Sequence, residues 1–258
     1  MKKYWKLLEG LVTDSRFNPL TKIKLKLTEE VAKTQKRFMA DASHELRTPL
    51  SIIRSSSEIA LSAGNSLRIQ DAASVMKSNI EEVDRMSKTI ESLANFSYYE
   101  SNISLLECKP IDLAHLAQYL IEKIKVFAEK KSIGIEVKTE PIKILGDQAA
   151  IEEMFLNILK NSIRFTNPGG YIYVQVSSFK DQATISIRDT GIGIAPKDLP
   201  YVFEPFYKST EIKIHNKTSA GLGLAIVKKI VERHNGLIQI ESWPNKGTLI
   251  SISLQMSF

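Results

Sequence analysis

The segment Asp41-Ala42-Ser43-His44-Glu45-Leu46-Arg47-Thr48-Pro49-Leu50 puts an imidazole, a carboxylate and a hydroxyl close together in the chain. On a helix, positions two apart lie about 200° around the axis, so His44 points away from Ala42 and Leu46. Thr48, four residues on, shares the face of His44. A neutral imidazole is a nucleophile, and a hydrogen bond to the adjacent Glu45 would orient that neutral form. Thr48 stands where it could position a water one turn away. Pro49 cannot donate to the carbonyl of Glu45, and its ring crowds that turn. This predicts a bend just beyond His44 and a site that flexes. An exposed histidine taken alone is usually a plain surface residue; the surrounding residues are what call for a chemical reading.

A second group of chemistry-bearing residues lies in the other half of the chain. Asn157, Asn161 and Arg164 are spaced to share one helix face, while Met154, Phe155, Ile158 and Leu159 pack inward. A neutral oxygen ligand suits Mg²⁺ and a guanidinium suits phosphate, although a polar exposed face would read the same way. Asp189-Thr190-Gly191-Ile192-Gly193 follows a strand pattern. Its glycines permit close approach of a ligand to the backbone, and its aspartate could accept a hydrogen bond from an exocyclic amine. An ordinary turn also uses Asp and Gly. Gly221-Leu222-Gly223-Leu224 opens a helix, whose first N–H groups favour phosphate. Lys246-Gly247-Thr248 leads into the last strand. After Phe203-Glu204-Pro205-Phe206-Tyr207-Lys208 comes a polar, basic, aperiodic stretch, 209–220, with the composition of a mobile lid. Lys208, Lys213 and Lys217 could reach a γ-phosphate from there, or simply be solvated.

These residues need two different scaffolds. Residues 20–100 have helical periodicity. One apolar stripe runs through Val31, Phe38, Ala42, Leu46, Leu50 and Ile53. A second has heptad spacing, with Met76, Val83 and Ile90 interleaved with Ile80, Met86 and Leu93. Ser62-Ala63-Gly64-Asn65-Ser66 between them is a turn signal. Two long helices with a short connection make an antiparallel hairpin. A lone hairpin buries two stripes poorly; a homodimeric four-helix bundle buries both. Beyond an aperiodic linker, helical patterns at 112–131, Asp147–Phe165 and Leu222–His234 alternate with strand patterns. The strands read as Ile133–Thr139, Tyr171–Ser177, Ala183–Arg188, Leu237–Trp243 and Thr248–Leu254. The expected fold is therefore multi-domain: an all-α helical hairpin, then an α+β sandwich whose mixed, mostly antiparallel sheet has helices on one face.

Composition narrows the class. The 258-residue chain is 43% hydrophobic and 25% charged, which is globular. Ten of its 35 basic residues but only four of its 29 acidic ones fall within 1–37, so that segment carries the whole net charge of +6. A basic segment can lie against an anionic membrane surface or be solvated. The neutral remainder argues against a nucleic-acid protein. The single cysteine, Cys108, excludes an internal disulfide and mildly favours a reducing compartment. No run approaches the ~18 apolar residues of a membrane span, and Glu9 interrupts the short apolar stretch at the N-terminus, making a poor signal peptide. The chain is then either soluble or the cytoplasmic portion of an inner-membrane protein.

His44-Glu45-Leu46-Arg47-Thr48-Pro49-Leu50 on a dimerising hairpin resembles the phosphoacceptor box of the sensor histidine kinases of two-component systems. The elements around Asn161, Gly191, Phe206, Gly221–Gly223 and Gly247, in that order, resemble that family's N, G1, F, G2 and G3 boxes. Their ATP-binding fold is shared with DNA gyrase and mismatch-repair ATPases. The resemblance covers about residues 34–256. It implies a connector at 1–33, a dimerisation and histidine-phosphotransfer domain at 34–101, a linker at 102–110 and an ATP-binding domain at 111–258. It implies ATP and Mg²⁺ as cofactors, with His44 the phosphate acceptor, Glu45 its general base and Thr48 an aid to dephosphorylating the partner. Asn161 would hold Mg²⁺ and Asp189 the adenine amine. Asn157, Arg164, Gly191, Gly193, Lys208, Gly221, Leu222, Gly223 and Thr248 would surround the nucleotide. The phosphoryl group would pass to an aspartate of a separate response regulator, since no receiver domain fits in the remaining length.

The family pattern is not followed everywhere. Arg164-Phe165 stands where the family often has Lys-Tyr, keeping the charge and losing a phenol. Ser219-Ala220 precedes Gly221 where the family often has Gly-x, so Ser219 is expected to stiffen the hinge of the lid. Two rival readings are an ATP-hydrolysing machine and a non-catalytic dimeric scaffold. Hydrolysing relatives use a glutamate four residues before the Mg²⁺ asparagine to activate water. Here that residue is Asn157, an amide that cannot act as a base. The intact His44, Asn161 and Asp189 weigh against the scaffold.

Overall fold

The computed structural model describes residues 19–64, 68–101, 107–209 and 219–256. The N-terminal part of the expected connector, Asn65 and Ser66 of the expected turn, most of the expected linker, and Lys213 and Lys217 lie outside the described residues. The chain divides into two compact units, Met1–Val83 and Asp84–Phe258. The division falls within a helix, after Val83.

The first unit holds α1 (Pro19–Ala63) and the beginning of α2 (Ile69–Glu100). Helix α1 is unbroken across Pro49. Its expected stripe is only partly covered: Ala42 is buried, but Val31 and Leu50 are 66% and 57% exposed. The expected single seam of α2 is two seams. Ala72, Val75, Asn79, Glu82, Met86, Thr89, Leu93 and Phe96 turn inward, each buried or half-buried. Ile69, Met76, Ile80, Val83 and Ile90 turn to solvent. The inner set repeats every three and four residues, and the outer set follows the same heptad on a neighbouring flank, about 100° round the helix. Met86 and Leu93 thus part from Ile80. The inner seam carries a polar link: Ser56 Oγ donates to Asn79 Oδ1 at 2.6 Å, and Asn79 Nδ2 donates to Ser57 Oγ at 3.1 Å.

The second unit is a two-layer α+β fold. Its elements are β1 (Lys109–Asp112), α3 (Leu113–Glu129), β2 (Gly134–Thr139), β3 (Lys143–Gly146), α4 (Gln148–Phe165), β4 (Tyr171–Phe179), β5 (Gln182–Asp189), α5 (Gly223–Arg233), β6 (Leu237–Trp243) and β7 (Gly247–Gln255). The main sheet runs β2-β4-β5-β7-β6. Only the β2–β4 pair is parallel. Alternation decides the faces: Ile172, Val174, Val176, Ile185, Ile187 and Ile252 point into the core with the apolar stripes of the helices. Asp112 and Asp147 start α3 and α4 by accepting from the backbone N–H of His115 and Ala150. A second sheet pairs β1 with β3. Lys109 and Pro110, expected in the linker, are its first residues. The end of α2 belongs to this unit too. Phe96 and Tyr99 are buried, and Asn95 Nδ2 donates to Glu153 Oε1 on α4 at 2.8 Å.

Candidate functional site

Three elements of the second unit converge on one place. The apolar phase of α4 (Ile151, Met154, Phe155, Ile158, Leu159) is buried in the core, which turns Asn157, Asn161 and Arg164 to one half-buried flank of the helix. Gly223 begins α5 directly above them. A Cβ built on Gly223 would stand 3.3 Å from Asn157 Oδ1 and 3.8 Å from Asn161 Nδ2. Leu222, expected as the first helical residue, is instead the N-cap, and no side chain caps α5. The start of α5 thus packs beside two amides, with no side-chain cap on its first N–H groups among the described residues.

The third element is the turn after β5. Asp189 is 7% exposed. Its Oδ1 accepts from the N–H of Gly191 at 2.9 Å and of Thr248 at 3.2 Å. Burial pushes its carboxyl above the usual range, while those two bonds and the hydroxyl of Ser162 pull the other way. The second carboxylate oxygen lies outside both backbone bonds and suits an amine donor. Close packing explains the glycines here. A Cβ on Gly191 would lie 2.5 Å from Phe165 O, and one on Gly193, where φ is +69°, 2.0 Å from Trp243 O. Gly247 backs Asp189 from β7, where a Cβ would lie 1.8 Å from Asp189 O.

The segment before the expected lid is also pinned. The Tyr207 hydroxyl donates to Asp198 Oδ1 at 2.6 Å, which pushes its pKa up to about 12. Phe206 has a φ of +61°. Gly221, with φ +78°, packs against Phe206 and Tyr207, and a Cβ there would lie 2.8 Å from Tyr207 O. Both ends of the 208–220 segment therefore meet. Gly221 is a residue here that needs the freedom of glycine. Lys208, next to Tyr207, is half-buried. Burial holds the guanidinium of Arg164 below its ordinary pKa, and it lies 5.2 Å from the Phe165 ring centre.

Three contributors were missed by sequence reasoning. Ser162 donates to Asp189. Phe165 O accepts from the N–H of Ile192 at 3.1 Å. Ser242 is the hub behind the site: it accepts from the N–H of Ile194 at 2.8 Å, donates to Gly247 O at 2.9 Å and contacts Thr248 Oγ1 at 2.8 Å.

The donor set fits a nucleotide with a hard cation. Amide and carboxylate oxygens, an uncapped helix N-terminus and backbone surfaces too tight for a Cβ stand together. Among the described residues no cluster of His, Cys, Asp and Glu is arranged to hold a metal by itself, so a cation here would share its coordination with phosphate.

In the first unit, His44 and Thr48 are exposed and Glu45 is half-buried. His44, Arg47, Thr48, Ser51, Ile52, Ser55, Ser56 and Ile59 line one shallow groove along α1. The Thr48 hydroxyl donates to the backbone carbonyl of His44 at 3.2 Å. That bond occupies its proton.

Comparison with known proteins finds both parts. Residues 34–102 match the His Kinase A (phospho-acceptor) domain. Residues 146–257 match the histidine kinase-, DNA gyrase B- and HSP90-like ATPases. The sensor histidine kinase CusS of Escherichia coli strain K12 is 30% identical over 226 residues, covering 88% of this chain and 46% of CusS. The signal transduction histidine-protein kinase ArlS of Staphylococcus epidermidis strain ATCC 12228 is 30% identical over 228 residues, covering 87% of this chain and 49% of ArlS. The chain thus spans about half the length of these relatives. The histidine kinase ThkA, solved in complex with the response regulator protein TrrA, shares the fold: TM-score 0.72 at 20% identity, covering 95% of this chain and 68% of that one. Among the described residues no helix is long and apolar enough to cross a membrane.

Proposed function

The chain belongs to the two-component sensor histidine kinases, and on that footing we propose that it moves the γ-phosphoryl group of ATP onto His44 and then to an aspartate of a response regulator. One observation carries the proposal. A chain with an exposed histidine in a phosphoacceptor segment also holds an ATPase-type site whose water-activating position is an amide, Asn157. Such a site binds the nucleotide without a base to hydrolyse it, so the imidazole is the acceptor that remains.

In the proposed mechanism, Asp189 accepts from the adenine amine against the Gly191–Gly193 turn. The N-terminus of α5, Arg164 and Lys208 hold the phosphates. Leu222 and Thr248 fix the backbone around the nucleotide. Mg²⁺, for which the side-chain oxygen of Asn161 is a suitable donor, supplies charge neutralisation on the phosphates when bound. A ring nitrogen of His44 attacks the γ-phosphorus, the bond to the β,γ-bridging oxygen breaks, and ADP leaves. Glu45 takes the ring proton. Thr48, on the same groove as His44, serves the reverse task of dephosphorylating the partner.

The functional division is 34–101 for phosphotransfer and 111–258 for ATP. The two family matches support it, although the compact units part earlier. The exposed apolar seam of α2 is the surface for a second copy. A response regulator docks along the His44 groove, and the chain works in the cytoplasm as the catalytic portion of a membrane sensor.

The test is incubation of the full chain with γ-labelled ATP and Mg²⁺. Wild type should take up acid-labile, base-stable label, and His44→Ala none. Unlabelled wild type, or an equally labelled variant, would defeat the proposal.

A further inference from the structure

The nucleotide reading uses one face of α4 and leaves its C-terminal end unexplained. The last four carbonyls of an α-helix have no partner within the helix. In α4 each has found one. Ser162 O accepts from the N–H of Thr166 at 3.0 Å, and Phe165 O from the N–H of Ile192 at 3.1 Å. The two between them, Ile163 O and Arg164 O, both accept from Nζ of Lys131, at 3.0 and 2.7 Å.

Lys131 arrives from the turn after α3, and that turn is built to deliver it. Its own N–H bonds to Ala128 O at 3.0 Å, Ser132 follows with φ +55°, and Ser132 O accepts from the N–H of Gly169 at 2.8 Å. The side chain is drawn out of water: burial, the sole cause of its shift, holds the ammonium below the ordinary lysine pKa. A half-buried cation with carbonyls as its partners is costly to keep for solubility. It meets instead the negative end of the α4 dipole.

What this end of α4 carries matters for the site. Ser162 and Arg164 occupy its last turn, and Asn161 directly precedes it. The next carbonyl, Phe165 O, rests on the Gly191–Ile192 turn that presents Asp189. Lys131 thus clamps the joint between the two walls of the nucleotide site: the asparagine face of α4 and the aspartate–glycine turn. We infer that Lys131 is a positioning residue for the nucleotide, holding the last turn of α4 in register with the Asp189 turn while touching no ligand itself. The inference rests on the nucleotide reading of this site.

The experiment is calorimetric titration of Mg²⁺·ADP into the full chain, with thermal melting of each protein without nucleotide. Lys131→Met keeps the apolar stem and removes the donor. It should weaken binding about tenfold, less than the direct loss of two charge-assisted hydrogen bonds, because the loss reaches the ligand only through the position of α4. Lys131→Arg, which can still reach two carbonyls with a charged fork, should recover most of that loss. A Lys131→Met protein with lowered Tm but wild-type affinity shows a purely structural cap and overturns the inference. So does an arginine variant as weak as the methionine one. Should Lys131→Met fail to fold, Lys131→Gln carries the test: weakened binding supports the inference and wild-type binding overturns it. Failure of wild type to bind Mg²⁺·ADP would sink the nucleotide reading itself, a separate result.

Discussion

At Asp189 stability and binding pull in opposite directions. Burial raises its carboxyl pKa against three hydrogen bonds that lower it, and burial wins. A carboxyl whose pKa rises on folding contributes its stability fully below the unfolded value, and that contribution is lost as pH climbs through the folded one. Above its folded pKa the ionised Asp189 therefore weakens the fold until a ligand donor meets it. Asp189→Asn keeps an oxygen to accept from Gly191 and Thr248 and removes the charge. The variant should melt higher than wild type above the folded pKa of Asp189, with the gap closing as pH falls through that raised value toward the ordinary carboxylate value of about 4. Its affinity for Mg²⁺·ADP should fall by at least about tenfold, the scale of a lost hydrogen bond to a charged group. Melting curves across that range and one titration read both effects. A variant less stable than wild type above that pKa would mean that the hydrogen bonds, not burial, dominate.

Among the elements, the β6–β7 hairpin bears the tightest constraint. Gly247 has φ +92°, and a Cβ there would lie 1.8 Å from Asp189 O. Gly169, with φ +81°, has nothing within 4 Å of its would-be Cβ. Alanine at Gly169 should cost only the backbone strain, about 1 kcal/mol, whereas alanine at Gly247 adds overpacking and should cost about 3 kcal/mol or more. Urea unfolding of both variants separates the two causes, and equal losses would remove the packing account. Glycines of this kind were legible in the sequence because they cluster beside Asp189 and before α5. The helix starts at Asp112 and Asp147 and the strand alternation were legible for the same reason: each is written in adjacent residues. The β1–β3 sheet was not, because four-residue strands are too short to show a period and Pro110 argues against one. Ser162 and Ser242 left a signal that went unread. Each is a polar residue at a core phase, after Ile158 and Leu159 in α4 and after Ile238 and Ile240 in β6. A hydroxyl placed there must have a partner, and both partners belong to the site. Lys131 left none, since its carbonyl partners are defined only by the fold.

For the molecule as a whole, the two seams of α2 decide assembly. Its inner seam is already used within the chain, and part of it is polar: Asn79, Glu82 and Thr89. The outer seam is apolar yet uncovered, with Ile69 88%, Met76 68%, Ile80 62%, Val83 51% and Ile90 53% exposed. Each such side chain gains about 1.5–3 kcal/mol on full burial, and heptad spacing fits it to a second helix bearing the same seam. A second copy provides that helix, and the two-fold contact is self-complementary. Light scattering of the wild-type chain should therefore give the mass of a dimer. Ile80→Glu with Val83→Glu places like charges across the contact and should leave a monomer. Both positions precede the division at Asp84, so Mg²⁺·ADP affinity should stay at the wild-type value and separate assembly from the nucleotide site. Labelling then distinguishes two outcomes. Monomers that still phosphorylate His44 transfer within one subunit, while monomers that bind nucleotide but take up no label need the partner's. A double variant that keeps the dimer mass would move the interface away from this seam.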